Sequence, residues 1–127
     1  MSQSVDTNTK TFTADEAIAK NLRVKLDADG KVTKAGLADK EVGTSVTASF
    51  AAGDPITVKL RTGAGTHKMT AIEAITVGST VYTETDGKVQ DTAQATAFQL
   101  GTALETSTAD GDVIEVLYNA HGDTAAA

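Results

Sequence analysis

The sequence predicts an all-β fold, a small β-sandwich or barrel built from two tandem β-repeats, with little helix. Three observations carry that expectation. The tetrapeptide Asp-Gly-Lys-Val occurs twice, at residues 29–32 and 86–89, each time between two extended stretches. Asp-Gly suits a tight hairpin, because glycine has no Cβ to oppose the positive φ such turns demand. Around each turn, short apolar alternations are bounded by Gly, Asp and Pro, the spacing of a strand-rich domain. Finally, matched positions recur in the same order over most of the chain, as a tandem duplication requires.

The repeat is read by superposition. Shifted by 57, Thr13, Ala14, Glu16, Ala17 and Ile18 fall on Thr70, Ala71, Glu73, Ala74 and Ile75, and Val24 falls on Val81. After a one-residue insertion the shift becomes 58. Gly43-Thr44 then meets Gly101-Thr102, and Ala51, Gly53, Asp54, Ile56 and Val58 meet Ala109, Gly111, Asp112, Ile114 and Val116. These are turn residues and alternating apolar positions, the ones a β-fold constrains.

Each repeat then reads in the same order. Arg23 to Leu26 is a strand with Val24 and Leu26 on one face; the Asp-Gly turn and a return strand near Val32 follow. Thr80 to Thr83, the second turn and Val89 form its counterpart. A Gly-Thr strand comes next, Val42 to Phe50 in one repeat and Phe98 to Glu105 in the other. A further Gly-Asp turn leads to closing strands with strict alternation, Ile56, Val58 and Leu60, then Ile114, Val116 and Tyr118. Pro55 opens the first of these, a position a sheet tolerates. Thr13-x-x-Glu16 and Thr70-x-x-Glu73 have the form of a capping box, so a helical turn is expected at each repeat start. Leu37 to Glu41 is expected to form another. All are too short to stand without packing.

The expected organisation is a flexible N-terminal arm over residues 1–12, a β-domain over 13–118 with repeats at about 13–60 and 70–118, and a flexible tail over 119–127. The arm carries Thr7, Thr9, Thr11 and Thr13 at alternate positions and no apolar period. That pattern suits a segment ordered against a partner, as when a strand is added to a sheet edge. Its removal is expected to spare the fold. The link between repeats, Arg61 to Lys68 with Gly63 and Gly65, reads as a flexible surface loop.

Composition narrows the function. The 127 residues are 40% apolar and 22% charged, with a net charge of −6, which disfavours nucleic acid and anionic membrane as partners. No apolar run approaches the roughly 20 residues of a spanning helix, and the N-terminus lacks the apolar core of a signal peptide. With no cysteine there is neither a disulfide nor a thiolate metal site. Aromatics are only 4% and Trp is absent, so stacking platforms for sugars or bases are scarce.

Motifs that could carry chemistry are incomplete. Asp27-x-Asp29-Gly30 opens like a calcium loop but lacks the later acidic ligands. Gly63 to Lys68 lacks the spacing of a phosphate loop and the helix that should follow. His67 and His121 have no second His or Cys nearby for a metal. Asp15-Glu16 and Asp110/Asp112 fall in turns, where carboxylates are commonly solvated, and no Gly-x-Ser-x-Gly motif occurs. An enzyme is not expected, nor is a cofactor or metal. The Asp-Gly turns read as scaffold, and the binding surface is expected on the arm and the linking loop.

One resemblance sharpens this reading. Val77-Gly78-Ser79-Thr80-Val81-Tyr82, then Asp86-Gly87-Lys88-Val89, Leu100-Gly101-Thr102-Ala103-Leu104-Glu105, Ala109-Asp110-Gly111-Asp112 and Ile114-Glu115-Val116-Leu117-Tyr118-Asn119 resemble the phage capsid decoration (cement) protein family. The match is good over about the last 45 residues and looser, through the repeat, over Ala14 to Leu60; Asn21 and Lys25 depart from Gly78 and Tyr82. The resemblance implies a virion protein, made in the host cytoplasm, that binds the outer surface of an assembled phage head and stabilises it. Its implied partner is the major capsid protein, with three copies of the chain forming a homotrimer on the shell. The residues expected to contact the capsid are Thr7, Thr9, Thr11, Phe12, Arg61, His67 and Lys68. The alternative is another virion surface module or a carbohydrate-binding β-module, also without catalysis.

Overall fold

The computed structural model describes residues 8–118. Ten strands make up the architecture. The first half contributes β1 (Thr9–Thr13), β2 (Arg23–Leu26), β3 (Val32–Lys34), β4 (Gly43–Ser45) and β5 (Pro55–Leu60). The second contributes β6 (His67–Thr70), β7 (Thr80–Thr83), β8 (Val89–Gln90), β9 (Gln99–Ala103) and β10 (Val113–Tyr118), with one 3₁₀ turn at Thr85–Gly87. They form two antiparallel five-stranded sheets, ordered β1-β5-β4-β2-β3 and β6-β10-β9-β7-β8. The second order is the first with every strand replaced by its repeat counterpart. This is an all-β fold of the β-sandwich kind, and neither sheet closes into a barrel.

Matched residues make matched contacts. Ser49 Oγ accepts from the Ile18 N–H and donates to the Glu16 carbonyl; Ser107 Oγ does the same between Ile75 and Glu73. Each serine thereby clips the segment ahead of β2 or β7 onto the far turn of its own half. Parallel bridges Ala14↔Val32 and Ala71↔Val89 curl each sheet toward its opposite edge. Gly43 and Gly101 are needed because the neighbouring strand lies so close: a Cβ there would stand 2.0 and 1.9 Å from the carbonyls of Lys59 and Leu117.

Each half has its own apolar core. Ala14, Ile18, Leu22, Val24, Val32, Ile56 and Val58 form one cluster, and Met69, Ala71, Ile75, Val81, Val89, Leu100, Ala103, Ile114 and Val116 form the other. A fully buried isoleucine contributes about 1.5–3 kcal/mol, so the four isoleucines of the closing strands and serine clips anchor both halves. Polar groups fill much of the junction between the two cores. Arg23, 0% exposed, donates Nη1 to Glu41 Oε1 at 3.2 Å and Nε to the Lys88 carbonyl at 3.0 Å. Its Nη2 reaches the carbonyls of Ala35, Gly36 and Glu84. Tyr118 Oη donates to Glu41 Oε2 at 3.0 Å, so one buried carboxylate joins strand ends from both repeats.

Several expectations are corrected. The arm expected over residues 1–12 does not run free to its end, because Thr9 to Phe12 pair in register with β5, from Thr9↔Lys59 to Phe12↔Ile56. Phe12 packs on the first core, so a deletion reaching residue 13 removes a working edge strand and cannot be expected to spare the fold. No helix forms at the two capping-box sequences; Glu16 and Glu73 instead accept the N–H groups of Lys34 and Asp91, tying the segment after β1 or β6 to the end of the return strand. Leu37 to Glu41 is likewise irregular, with Glu41 drawn into the ion pair. The strand expected over Val42 to Phe50 shortens to Gly43–Ser45. Leu26, of the same parity as Val24, is 48% exposed.

Candidate functional site

The expected contact residues come from three places. Thr9 and Thr11 lie on the edge strand β1, opposite Lys59 and Thr57, and the Thr11 and Thr57 hydroxyls are 3.2 Å apart. Phe12 has the opposite parity and turns toward the core, with Lys10 Nζ 5.8 Å from its ring centre. Arg61 follows β5, its N–H bonded to the Val42 carbonyl at 2.8 Å. Lys68 is exposed on β6 in register with Glu115. Thr7 lies outside the described residues.

His67 is the exception. It starts β6 with its side chain inward, 1% exposed, Nε2 2.9 Å from the Leu60 carbonyl and its ring edge-on to Tyr118 at 4.7 Å. A residue so placed offers no surface to a partner, and the expected capsid contact at His67 is corrected to a role inside the junction. Burial holds its pKa below the ordinary value of 6.5, with Lys59 adding to the depression and the Leu60 carbonyl and Glu41 opposing it. Burial likewise lifts the Tyr118 hydroxyl well above 10.0, reinforced by the Glu41 carboxylate.

Register connects the β1 edge, with Thr9, to the cleft that Lys68 lines. Thr9 faces Lys59 and Lys59 faces Thr44, so a polar row crosses the first sheet and runs into a cleft between the halves of about 710 Å³. Lys20, Asn21 and Lys59 line one wall; Lys68, Glu105 and Glu115 line the other. Lys59 Nζ donates to the Thr66 carbonyl at 2.6 Å, Thr66 Oγ1 donates to Glu115 Oε2, and Glu105 Oε1 accepts the Glu115 N–H at 2.8 Å. The Lys59–Thr66–Glu115 chain links the two walls, and His67 is not part of the lining. Among the described residues no group of three or more His, Cys, Asp or Glu could hold a metal. Nor is any helix among them long and apolar enough to cross a membrane. Asp27, the first residue of the calcium-like motif, accepts the N–H groups of Asp29 and Lys31 and closes its own turn.

Sequence reasoning missed the exposed apolar residues. Phe50 is 85% exposed at a turn tip, where Asp54 Oδ2 accepts its N–H at 2.9 Å and that of Ala51 at 3.1 Å. Val77, Leu104 and Leu117 are 55, 38 and 47% exposed on the second half. The available signal was parity: Leu117 falls between the inward Val116 and the half-buried Tyr118.

The structure is thus an all-β scaffold with a polar cleft between its halves and exposed apolar side chains on its surface. Residues 3–118 match the family described as phage cement protein, and the chain belongs to that family. No curated protein gives a match. Membership places the chain with proteins associated with the phage capsid.

Proposed function

We propose that this protein binds the outer surface of an assembled phage head through the major capsid protein, as three copies, and stabilises the shell without catalysing a reaction. The family match over residues 3–118 carries the reading. Side chains available for adhesion support it: Thr9 and Thr11 on the β1 edge, Lys68 at the cleft, Arg61 just after β5, and Phe50 on its braced turn. Thr7 and Phe12 belong to the same proposed contact.

The energetics follow from linkage. A protein that binds only the assembled lattice stabilises it by mass action. Three linked copies raise the effective concentration of each site, so individually weak contacts suffice. A specific interface needs about 1,000 Å² of buried surface, which a domain of this size can supply. The acidic exterior is compatible with a surface that does not compete for packaged nucleic acid.

Co-sedimentation with expanded empty heads, against unassembled capsid protein, is the test. Saturable binding to heads alone is expected, together with a higher temperature of head disruption. Folded protein that pellets with neither form overturns the reading.

A further inference from the structure

The two halves dock through unlike surfaces. The second half presents a plug: the Thr70 N–H and hydroxyl both donate to the Asn21 carbonyl at 3.0 Å, Thr83 Oγ1 donates to the Leu37 carbonyl, and the Gly87 N–H donates to the Ala35 carbonyl at 2.7 Å. The first half presents the socket, made by Asn21, Arg23 and Ala35. Every one of these residues has a repeat counterpart that is not used in this way.

The plug counterparts are Thr13, Leu26 and Gly30. All three are exposed, whereas Thr70 and Thr83 are 8 and 0% exposed and Gly87 is buried. The two turn glycines make the contrast sharp. A Cβ on Gly87 would meet the Arg23 carbonyl at 2.8 Å, while one on Gly30 would meet nothing within 4 Å. The socket counterparts are Gly78, Thr80 and Thr92, none of them buried, whereas Arg23 and Ala35 are 0% exposed. The chain therefore carries a free plug on one half and a free socket on the other.

Exposed apolar residues border the free socket. The row Thr80, Thr102 and Leu117 crosses it in register, and the Gly78 N–H bonds to the Ala103 carbonyl beside Leu104. Val77, Leu104 and Leu117 are the counterparts of Lys20, Val46 and Lys59, which line the cleft beside the occupied socket. Two of the three positions beside the occupied socket are lysines and the third is Val46, whereas on the open face all three are apolar.

We propose that a second copy of this chain occupies the free socket, inserting its β1 end and the turn over residues 27–31, so that the contact between halves is repeated between molecules. The contact is continuous with the internal interface and uses its surfaces in the same order. Such a heterologous contact, repeated, closes into a ring or runs on as a filament. Thr80 stands at the position of Arg23, so the contact between copies lacks the buried cation and relies on its apolar rim. The inference deepens the proposed meeting of copies on the head and does not depend on binding to the capsid.

Cross-linking tests it, since the chain has no cysteine. Thr13→Cys and Ser79→Cys proteins, each checked by its melting curve, are mixed and treated with a short bismaleimide, in solution and on heads. A single-cysteine chain cannot link to itself, so every product reports two copies. The mixed 13–79 product is expected on the order of ten-fold faster than a Thr13→Cys and Ala52→Cys control, and adding Leu117→Lys to the Ser79→Cys protein should abolish the advantage. Asp29→Cys with Thr92→Cys serves as a second pair if either variant fails to fold. Mixed products no faster than the control for both pairs overturn the proposal. Head binding with that result leaves the capsid reading standing; a fast mixed product without head binding overturns the capsid reading alone.

Discussion

The imidazole of His67 bonds through Nε2 to the Leu60 carbonyl, while its buried Nδ1 has no hydrogen-bond partner. Protonating Nδ1 would place a cation in a buried site, with Lys59 nearby adding to the cost, which is why the folded pKa falls below 6.5. The sign follows directly. Between the depressed folded value and 6.5, the unfolded chain binds more protons than the folded one, so stability rises with pH across that window. It is fully present above about 6.5 and declines on acidification. The depressed carboxyls of Asp39 and Asp112 act separately, below about 3.8. Urea melts at pH 7.5, 6.5 and 5.5 are expected to show falling stability, and His67→Gln, which keeps a donor for Leu60, is expected to flatten that dependence. Equal slopes in both proteins would place the titration elsewhere.

At the scale of the element, the same hairpin sequence meets two environments. Gly30 and Gly87 adopt φ of 75° and 73°, a region where a side chain costs about 1–2 kcal/mol. Gly30→Ala should cost that amount alone, because its Cβ points into open space. Gly87→Ala must also push against the Arg23 backbone and Leu22, which adds about 1–3 kcal/mol of overpacking. Paired urea melts check the difference, and equal losses would show that the junction yields without strain. This contrast also marks what could be read from sequence. The turns, the strand alternation around Ile56, Val58, Ile114 and Val116, and the shared order of the repeats are local signals, and they give the sheets. Burial of Arg23 had no local signal, because its partners Glu84 and Lys88 lie about half the chain away. Ser49 and Ser107 look like ordinary turn serines until both ends of each clip are known. Of the expected contact residues, Thr9, Thr11 and Lys68 reach the surface that runs into the cleft, but nothing in the sequence told an inward His67 from an outward Lys68.

The whole molecule is two apolar cores joined across a polar seam, and Arg23 with Glu41 is the part of that seam most costly to disturb. A guanidinium stays charged even when burial lowers its pKa, as it does for Arg23. Removing its carboxylate therefore strands a cation between the halves, with only the carbonyls of Ala35, Gly36, Glu84 and Lys88 to receive it. Tyr118 loses its acceptor at the same time. Glu41→Leu is expected to cost about 3–5 kcal/mol, the usual penalty for breaking a buried pair from one side. Arg23→Met combined with Glu41→Leu should cost clearly less than the two single changes added together, because the stranded charge is gone. If the halves depend on the seam to unfold together, Glu41→Leu will also lower the urea m-value through a populated, half-folded chain. A loss below about 1 kcal/mol with an unchanged m-value would mean that the four carbonyls alone satisfy Arg23, and that the halves are coupled by the plug and socket rather than by charge.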